Sequence, residues 1–172
     1  DYDHSAPDWD ETLTLGFPGL KKRADAHPDT PFYRSEKIAA NALMRFLDRL
    51  IRCAEDELVR CGGKTSSGCL ERAVPSLRRL RVGPPQTTLD VMEFTFVYFL
   101  MGEFLDRFQV RTLGCLDRLW WPYYECDLRT GRTTEAEFRE DFRHFVWQFG
   151  SMDYYWGHPM YMGGTKADGT TE

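Results

Sequence analysis

Residues Leu89–Asp106 constrain this chain more than any other stretch. Apolar side chains recur on almost every face of a helix there: Val91, Met92, Phe94, Phe96, Val97, Tyr98, Phe99, Leu100, Met101, Phe104 and Leu105. Charge is confined to Asp90, Glu93, Glu103 and Asp106. A helix with a wet face shows an apolar stripe, whereas one apolar on most faces has to be surrounded by protein. Its longest apolar run, Phe94–Met101, is eight residues including Thr95, too short to span a bilayer. The chain has 172 residues, enough for one ordinary domain, so such a helix points to burial in a larger assembly or a longer parent.

The flanking patterns are mostly helical. Pro7, Gly16, Pro18, Gly19, Pro28 and Pro31 interrupt every period in residues 1–31, which reads as irregular. Asp29-Thr30-Pro31 then offers a helix start with proline in the first turn. Ile38, Ala42, Leu43, Phe46, Leu47, Leu50, Ile51, Ala54 and Leu58 make an amphipathic stripe that should stop near Cys61-Gly62-Gly63. A shorter helix covers Gly68–Arg81, bent or begun at Pro75, and Thr87 or Thr88 caps the apolar helix.

Residues 32–86 are therefore helical, and residues 87–172 combine helices with strands. Phe108–Leu113, with β-branched Val110 and Thr112 and bounded by Gly114, predicts a strand. Leu116, Leu119, Trp120, Tyr123 and Tyr124 follow at helical spacing, kinked at Pro122 and ended by Gly131. The aromatic pairs in this run read as core. Thr134 and Glu137 match a capping box for a helix that turns Phe138, Phe142, Phe145, Val146 and Phe149 to one side. Pro159–Thr165 and Asp168-Gly169 predict a strand entering a hairpin turn, with the return strand beyond Glu172.

Composition excludes several classes. The net charge of −5 argues against a general phosphate-backbone binder. The densest basic patch, Arg72, Arg78, Arg79 and Arg81, reads first as a solvated helix face. Asp1–Asp10 is acidic and polar where a signal peptide would be basic and then apolar, and no run is long enough for a membrane span. Cys53, Cys61, Cys69, Cys115 and Cys126 form no CxxC pair, so reduced thiols in a cytoplasmic protein are the simplest reading, without a metal site. Gly63-Lys64-Thr65 lacks the earlier glycine of a phosphate loop, that position being Leu58, and no strand precedes it. His144 reads as a surface residue, and His4 and His27 as loop residues without partners.

From Thr87 onward the order of signals becomes specific. The buried helix is followed by Gln109-Val110-Arg111-Thr112-Leu113-Gly114, then by Leu116-Asp117-Arg118-Leu119-Trp120-Trp121-Pro122-Tyr123-Tyr124-Glu125-Cys126-Asp127-Leu128. Gly131-Arg132-Thr133-Thr134-Glu135 comes next and, after one helix, Tyr161-Met162-Gly163-Gly164-Thr165-Lys166-Ala167-Asp168-Gly169. This order resembles the pyruvate formate-lyase-like glycyl radical enzymes, whose chains run "LDQ-L-x-P-Y-Y-x-x-DL-x-x-GR-x-T-E-x-E" and later "LGG-x-D-x-DG". The match covers roughly the second half of the chain.

The resemblance implies an α/β fold: a predominantly helical fragment carrying the first strands of a ten-stranded barrel, within one pyruvate formate-lyase-like domain over residues 1–172. It also implies a lyase- or transferase-type reaction of anaerobic metabolism. A backbone glycyl radical, installed by a radical S-adenosylmethionine activating enzyme, passes to a cysteine thiyl that attacks a small polar or anionic substrate. No separate cofactor is bound, and the full-length parent is expected to be a cytoplasmic homodimer. Both radical residues lie downstream of the "LGG…DG" hairpin in such enzymes, so neither is expected here, and Cys115 does not inherit the thiyl role.

What carries over is substrate contact. The strand before Leu116-Asp117 lines the active site in the family, and dehydratase members commonly carry a His-Ser pair where this chain has Gln109 and Val110. No general base stands there. Gln109 and Arg111 share a side of the strand, and the Arg111 guanidinium can clamp a carboxylate through two parallel hydrogen bonds. The competing role for Arg111 is an ion pair with Asp106 or Asp117. His158, with Met160 and Met162 on its side of the second strand, is the third candidate contact. The alternative from another class is a self-contained helical interaction domain without catalysis.

Overall fold

The computed structural model describes residues 7–62, 67–106, 112–152, 160–163 and 168–170. They form six helices and two short strands: α1 (Trp9–Ala26), α2 (Pro31–Cys61), α3 (Ser67–Val82), α4 (Thr88–Asp106), β1 (Gly114–Cys115), α5 (Leu116–Thr130), α6 (Glu135–Gly150) and β2 (Met160–Tyr161). The chain divides into two compact units, one of Glu11–Pro85 and one of Gln86–Glu172 together with the residues up to Asp10.

In the Glu11–Pro85 unit, local chemistry sets the ends of α2. The Thr30 hydroxyl accepts the Tyr33 N–H at 3.3 Å, and Pro31 occupies the first turn, where its missing N–H costs nothing. At the other end Gly62 takes a left-handed φ of 54° and donates its N–H to the Leu58 carbonyl at 3.3 Å. Met44, Leu47 and Ile51 make the buried line of α2, and Val74, Leu77 and Leu80 are buried on α3. The start of the expected stripe differs, because Ile38 is 67 % exposed. His27, expected to stand alone, stacks on Tyr33 with ring centroids 4.2 Å apart.

Two arginines of the basic run on α3 are paired across the helix pair. Arg81 donates to Asp48 at 2.5 and 3.2 Å, and Arg78 donates to Glu55 at 2.5 and 2.9 Å. The Arg81 hydrogen bonds hold the Asp48 carboxyl below its ordinary value of 3.8. A carboxyl lowered by folding contributes stability above its unfolded pKa and loses it as the pH falls through the folded one.

Residues 1–31 are not irregular throughout, because α1 runs from Trp9 to Ala26 and breaks only at Gly16 (φ 63°, ψ 176°). That backbone conformation is essentially reserved for glycine. Pro18 then sits near the start of the second helical piece, a position that tolerates it. Space imposes the same demand: a Cβ on Gly16 would lie 2.6 Å from the Pro84 Cα and 2.8 Å from the Gly83 oxygen.

The second unit is organised by α4. None of residues 88–102 is exposed, as the all-round apolar pattern predicts. Phe96 and Phe99 of α4 both meet Phe149 of α6 edge-on, at 5.2 and 5.3 Å. Trp120 of α5 packs on Phe145 of α6 at 4.7 Å and 87°. The capping box of α6 forms in full, with Thr134 accepting from the Glu137 N–H at 3.2 Å and donating its own N–H to Glu137 at 2.8 Å. Tyr123 and Tyr124 are both half-buried, but only one tryptophan of its pair reaches the core. Trp120 is buried while Trp121 is 53 % exposed, and Val146 faces outward, because successive helical residues diverge by about 100°.

β1 and β2 pair in parallel, Gly114 with Met160 and Cys115 with Tyr161. The crossover between them contains α5 and α6, the long connection that parallel pairing demands. Sheet pairing starts at Gly114, the residue expected to end the strand. Residues 107–111 lie outside the described set, as do 164–167 and 171–172 around the expected hairpin. Asp168 accepts both the N–H and the hydroxyl of Thr170, at 3.0 and 2.7 Å, around Gly169 with a φ of 84°.

Two outcomes follow for this fold. Gly16→Ala should cost about 1–3 kcal/mol in urea unfolding, from the strained backbone and the Pro84 clash together. In Asp48→Asn, the stability deficit relative to the parent should shrink as the pH is lowered from about 7 to about 2, because protonating Asp48 removes from the parent the interaction that the variant already lacks.

Candidate active-site edge of a barrel

The parallel pair and the start of α5 form the candidate site region. Gly114 opens β1 at a φ of 74° and donates its N–H to the Thr112 hydroxyl at 3.0 Å. A Cβ there would meet the Trp9 indole at 3.6–3.7 Å, and Trp9 in turn packs on Tyr98 of α4 at 5.4 Å. The chain leaves β1 directly into α5.

Asp117, in the first turn of α5, reaches across to β2. One carboxylate oxygen accepts the N–H of Gly163, just after β2, and the other accepts the Arg118 N–H at 2.8 Å. An anion at a helix N-terminus is favoured by the helix dipole. Asp117 and Gly163, which belong to separate signatures in the sequence, thus meet in one contact.

The other end of α5 carries a second tie. The buried Asp127 carboxylate accepts the Thr88 N–H at 2.6 Å and the Thr88 hydroxyl at 2.8 Å. Arg132 lies 2.9 Å from its other oxygen. Asp127 stands near the C-terminus of its own helix, where the dipole disfavours an anion, but at the N-terminus of α4, where it is favoured. Gly131, at a φ of 68°, turns the chain so that the Arg132 N–H returns to the Asp127 carbonyl at 2.9 Å. The Asp127-Leu128…Gly131-Arg132 segment is thereby explained as a clamp with its own counter-ion.

The N-terminus of α4 is completed locally. Thr87 accepts the Asp90 N–H, and the fully buried Asp90 accepts the Gln86 N–H, both at 3.1 Å. Burial, and secondarily the Asp90 charge, push the Tyr123 phenol above its ordinary value. Between α4 and α5, the Thr95 hydroxyl donates to the Val91 carbonyl at 2.7 Å and accepts the Trp120 indole N–H at 3.3 Å.

The three candidate substrate contacts, Gln109, Arg111 and His158, lie outside the described residues, so their arrangement is not part of this geometry. Met160 is half-buried in β2, and Met162 beyond it is exposed. Among the described residues no three His, Cys, Asp or Glu side chains converge as metal ligands. No described helix is long and apolar enough to cross a membrane. His144 is exposed, 3.3 Å from Glu140.

Long helices thus lead into a parallel strand pair, with side chains tying the crossover helix α5 both to α4 and to the residue after β2. Residues 1–170 match the pyruvate formate lyase-like family, and the chain belongs to it. The B12-independent glycerol dehydratase from Clostridium butyricum, solved in its glycerol-bound form, shares the fold with a TM-score of 0.78 at 13 % identity, over 99 % of this chain and 24 % of that one. A Roseburia inulinivorans protein of 1,2-propanediol dehydration does so with a TM-score of 0.79 at 15 % identity, over 98 % of this chain and 24 % of that one. The chain therefore spans about a quarter of the length of these solved structures. No curated relative matches it significantly.

The Asp127 clamp should make a measurable contribution to the stability of this unit. Asp127→Ala leaves the Thr88 N–H without its acceptor and Arg132 without its counter-ion, and should cost about 1–3 kcal/mol by denaturant unfolding. Asp127→Asn, which keeps an acceptor oxygen, should fall between the two. Thr88→Val in the Asp127→Ala background should then add far less than it does alone.

Proposed function

We propose that the chain is part of a glycyl radical enzyme that cleaves a bond in a small polar or anionic substrate by thiyl-radical initiation, as a C–C lyase, decarboxylase or eliminase. Membership of the pyruvate formate lyase-like family over residues 1–170 is the observation that carries this reading. The parallel β1–β2 pair supports it, since it supplies the strand edge on which such a substrate would rest.

On this reading Arg111 grips an anionic group of the substrate in a bidentate pair, Gln109 hydrogen-bonds beside it, and His158 approaches from the β2 side. The two structural neighbours are named for the dehydration of glycerol and 1,2-propanediol. This chain has Gln109-Val110 on the proposed strand, with no titratable side chain to act as a general base. The partner is a radical S-adenosylmethionine activating enzyme, and the parent works as a cytoplasmic homodimer.

The test uses the full-length parent, activated anaerobically with such an enzyme and S-adenosylmethionine. A glycine-centred doublet should appear by electron-spin resonance, and the 172-residue chain alone should give none. In the parent, Arg111→Ala should raise KM by at least about tenfold, consistent with ~2–5 kcal/mol for truncating a buried charged pair. Radical yield should be retained, and Arg111→Lys should rescue only partly. An unchanged KM with lowered stability would make Arg111 a structural ion-pair member instead.

A further inference from the structure

The Glu11–Pro85 unit carries an open hollow of about 460 Å³ where α1, α2 and α3 come together, a volume typical of small-ligand sites. Lys21 of α1, Arg45 of α2 and Arg81 of α3 bring three cations to its lining, against the single carboxylate of Asp48. Two of the cations are already matched: Arg81 is held by Asp48 itself and Lys21 by Asp25. Arg45 is not. Arg45 is exposed, and among the described residues no carboxylate pairs with its guanidinium, which leaves its donors available to a ligand in the hollow.

The same hollow contains an apolar surface with no cover. Met44, 5 % exposed, forms part of its lining, and Ile38, 67 % exposed, stands beside it. Asn41 donates one amide hydrogen to the Lys37 carbonyl at 2.8 Å and keeps the other. A bare inorganic ion would satisfy Arg45 and leave Ile38 wet. A wholly apolar ligand would cover Ile38 and desolvate the guanidinium without replacing its hydrogen bonds.

We propose that this hollow binds a small amphipathic anion, a carboxylate or phosphate monoester with a short apolar tail. Arg45 takes the anionic group through its planar fork, Lys21 adds favourable charge, and the tail lies over Ile38 and Met44. The site lies within one unit of the chain and is independent of the radical chemistry.

The experiment is a titration of the 172-residue chain, followed by backbone amide resonances, with hexyl phosphate, hexanoate, inorganic phosphate and hexanol. Saturable shifts confined to residues 38–48 and the Lys21 and Arg81 neighbourhoods are expected with at least one of the two amphipathic anions. The tighter of the two identifies the anion class. Arg45→Gln should weaken that binding by about tenfold or more, the scale of a lost charge-assisted pair. Ile38→Ser, at an exposed position, should reduce it toward the level of inorganic phosphate. No saturation with either amphipathic anion would overturn the proposal. So would binding indifferent to Arg45→Gln, or inorganic phosphate or hexanol binding as tightly as the amphipathic probes.

Discussion

A buried carboxylate at the junction of two helices holds the second unit together. Asp127 ends one helix and begins another: its own α5 closes within three residues, while Thr88 at the head of α4 donates to it twice. An ion placed out of water needs hydrogen bonds and a counter-charge. Thr88 donates two hydrogen bonds to one oxygen, the Arg132 charge lies beside the other, and Gly131 makes the turn that brings Arg132 back. The apolar surface of α4 then has a defined angle at which to bury its aromatic residues against α5 and α6. Hydrophobic burial supplies the larger energy but is non-directional; the clamp supplies the direction.

The two units use charge in opposite ways. In Glu11–Pro85 the interhelical pairs Arg81–Asp48 and Arg78–Glu55 are substantially exposed. Such pairs are screened and each contributes about 0–1 kcal/mol. They balance the charge of Arg78 and Arg81 more than they hold the helices. In the other unit the carboxylates of Asp90, Asp117 and Asp127 all accept backbone N–H groups. These ties set strand and helix positions.

The consequence for function lies at the β1–β2 pair. Two strands of two residues each have little stability of their own. Their register depends on α5, which leaves β1 without a linker and grips the residue after β2 through Asp117. The strand pair is thus positioned by a helix terminus. Gln109, Arg111 and His158 belong to the stretches that flank this pair.

The sequence by itself determined whatever is decided within one or two helical turns. Thr30-Pro31 and Gly62 bound α2, Thr134 with Glu137 opens α6, and the all-round apolar run of α4 leaves no exposed residue from 88 to 102. The family was legible as well, because its motif residues occur in order. Their physical roles were not. Asp127 and Thr88 are 39 residues apart, and Asp117 and Gly163 are 46 apart, beyond the reach of any capping or periodicity rule. Likewise Gly16 and Pro18 read as interruptions of structure, when one kinks α1 and the other restarts it. Whether Trp120 or Trp121 enters the core, and whether Ile38 is covered, depended on which neighbour stood opposite. Only tertiary structure decides that, since burial belongs to a pair of surfaces and not to a residue.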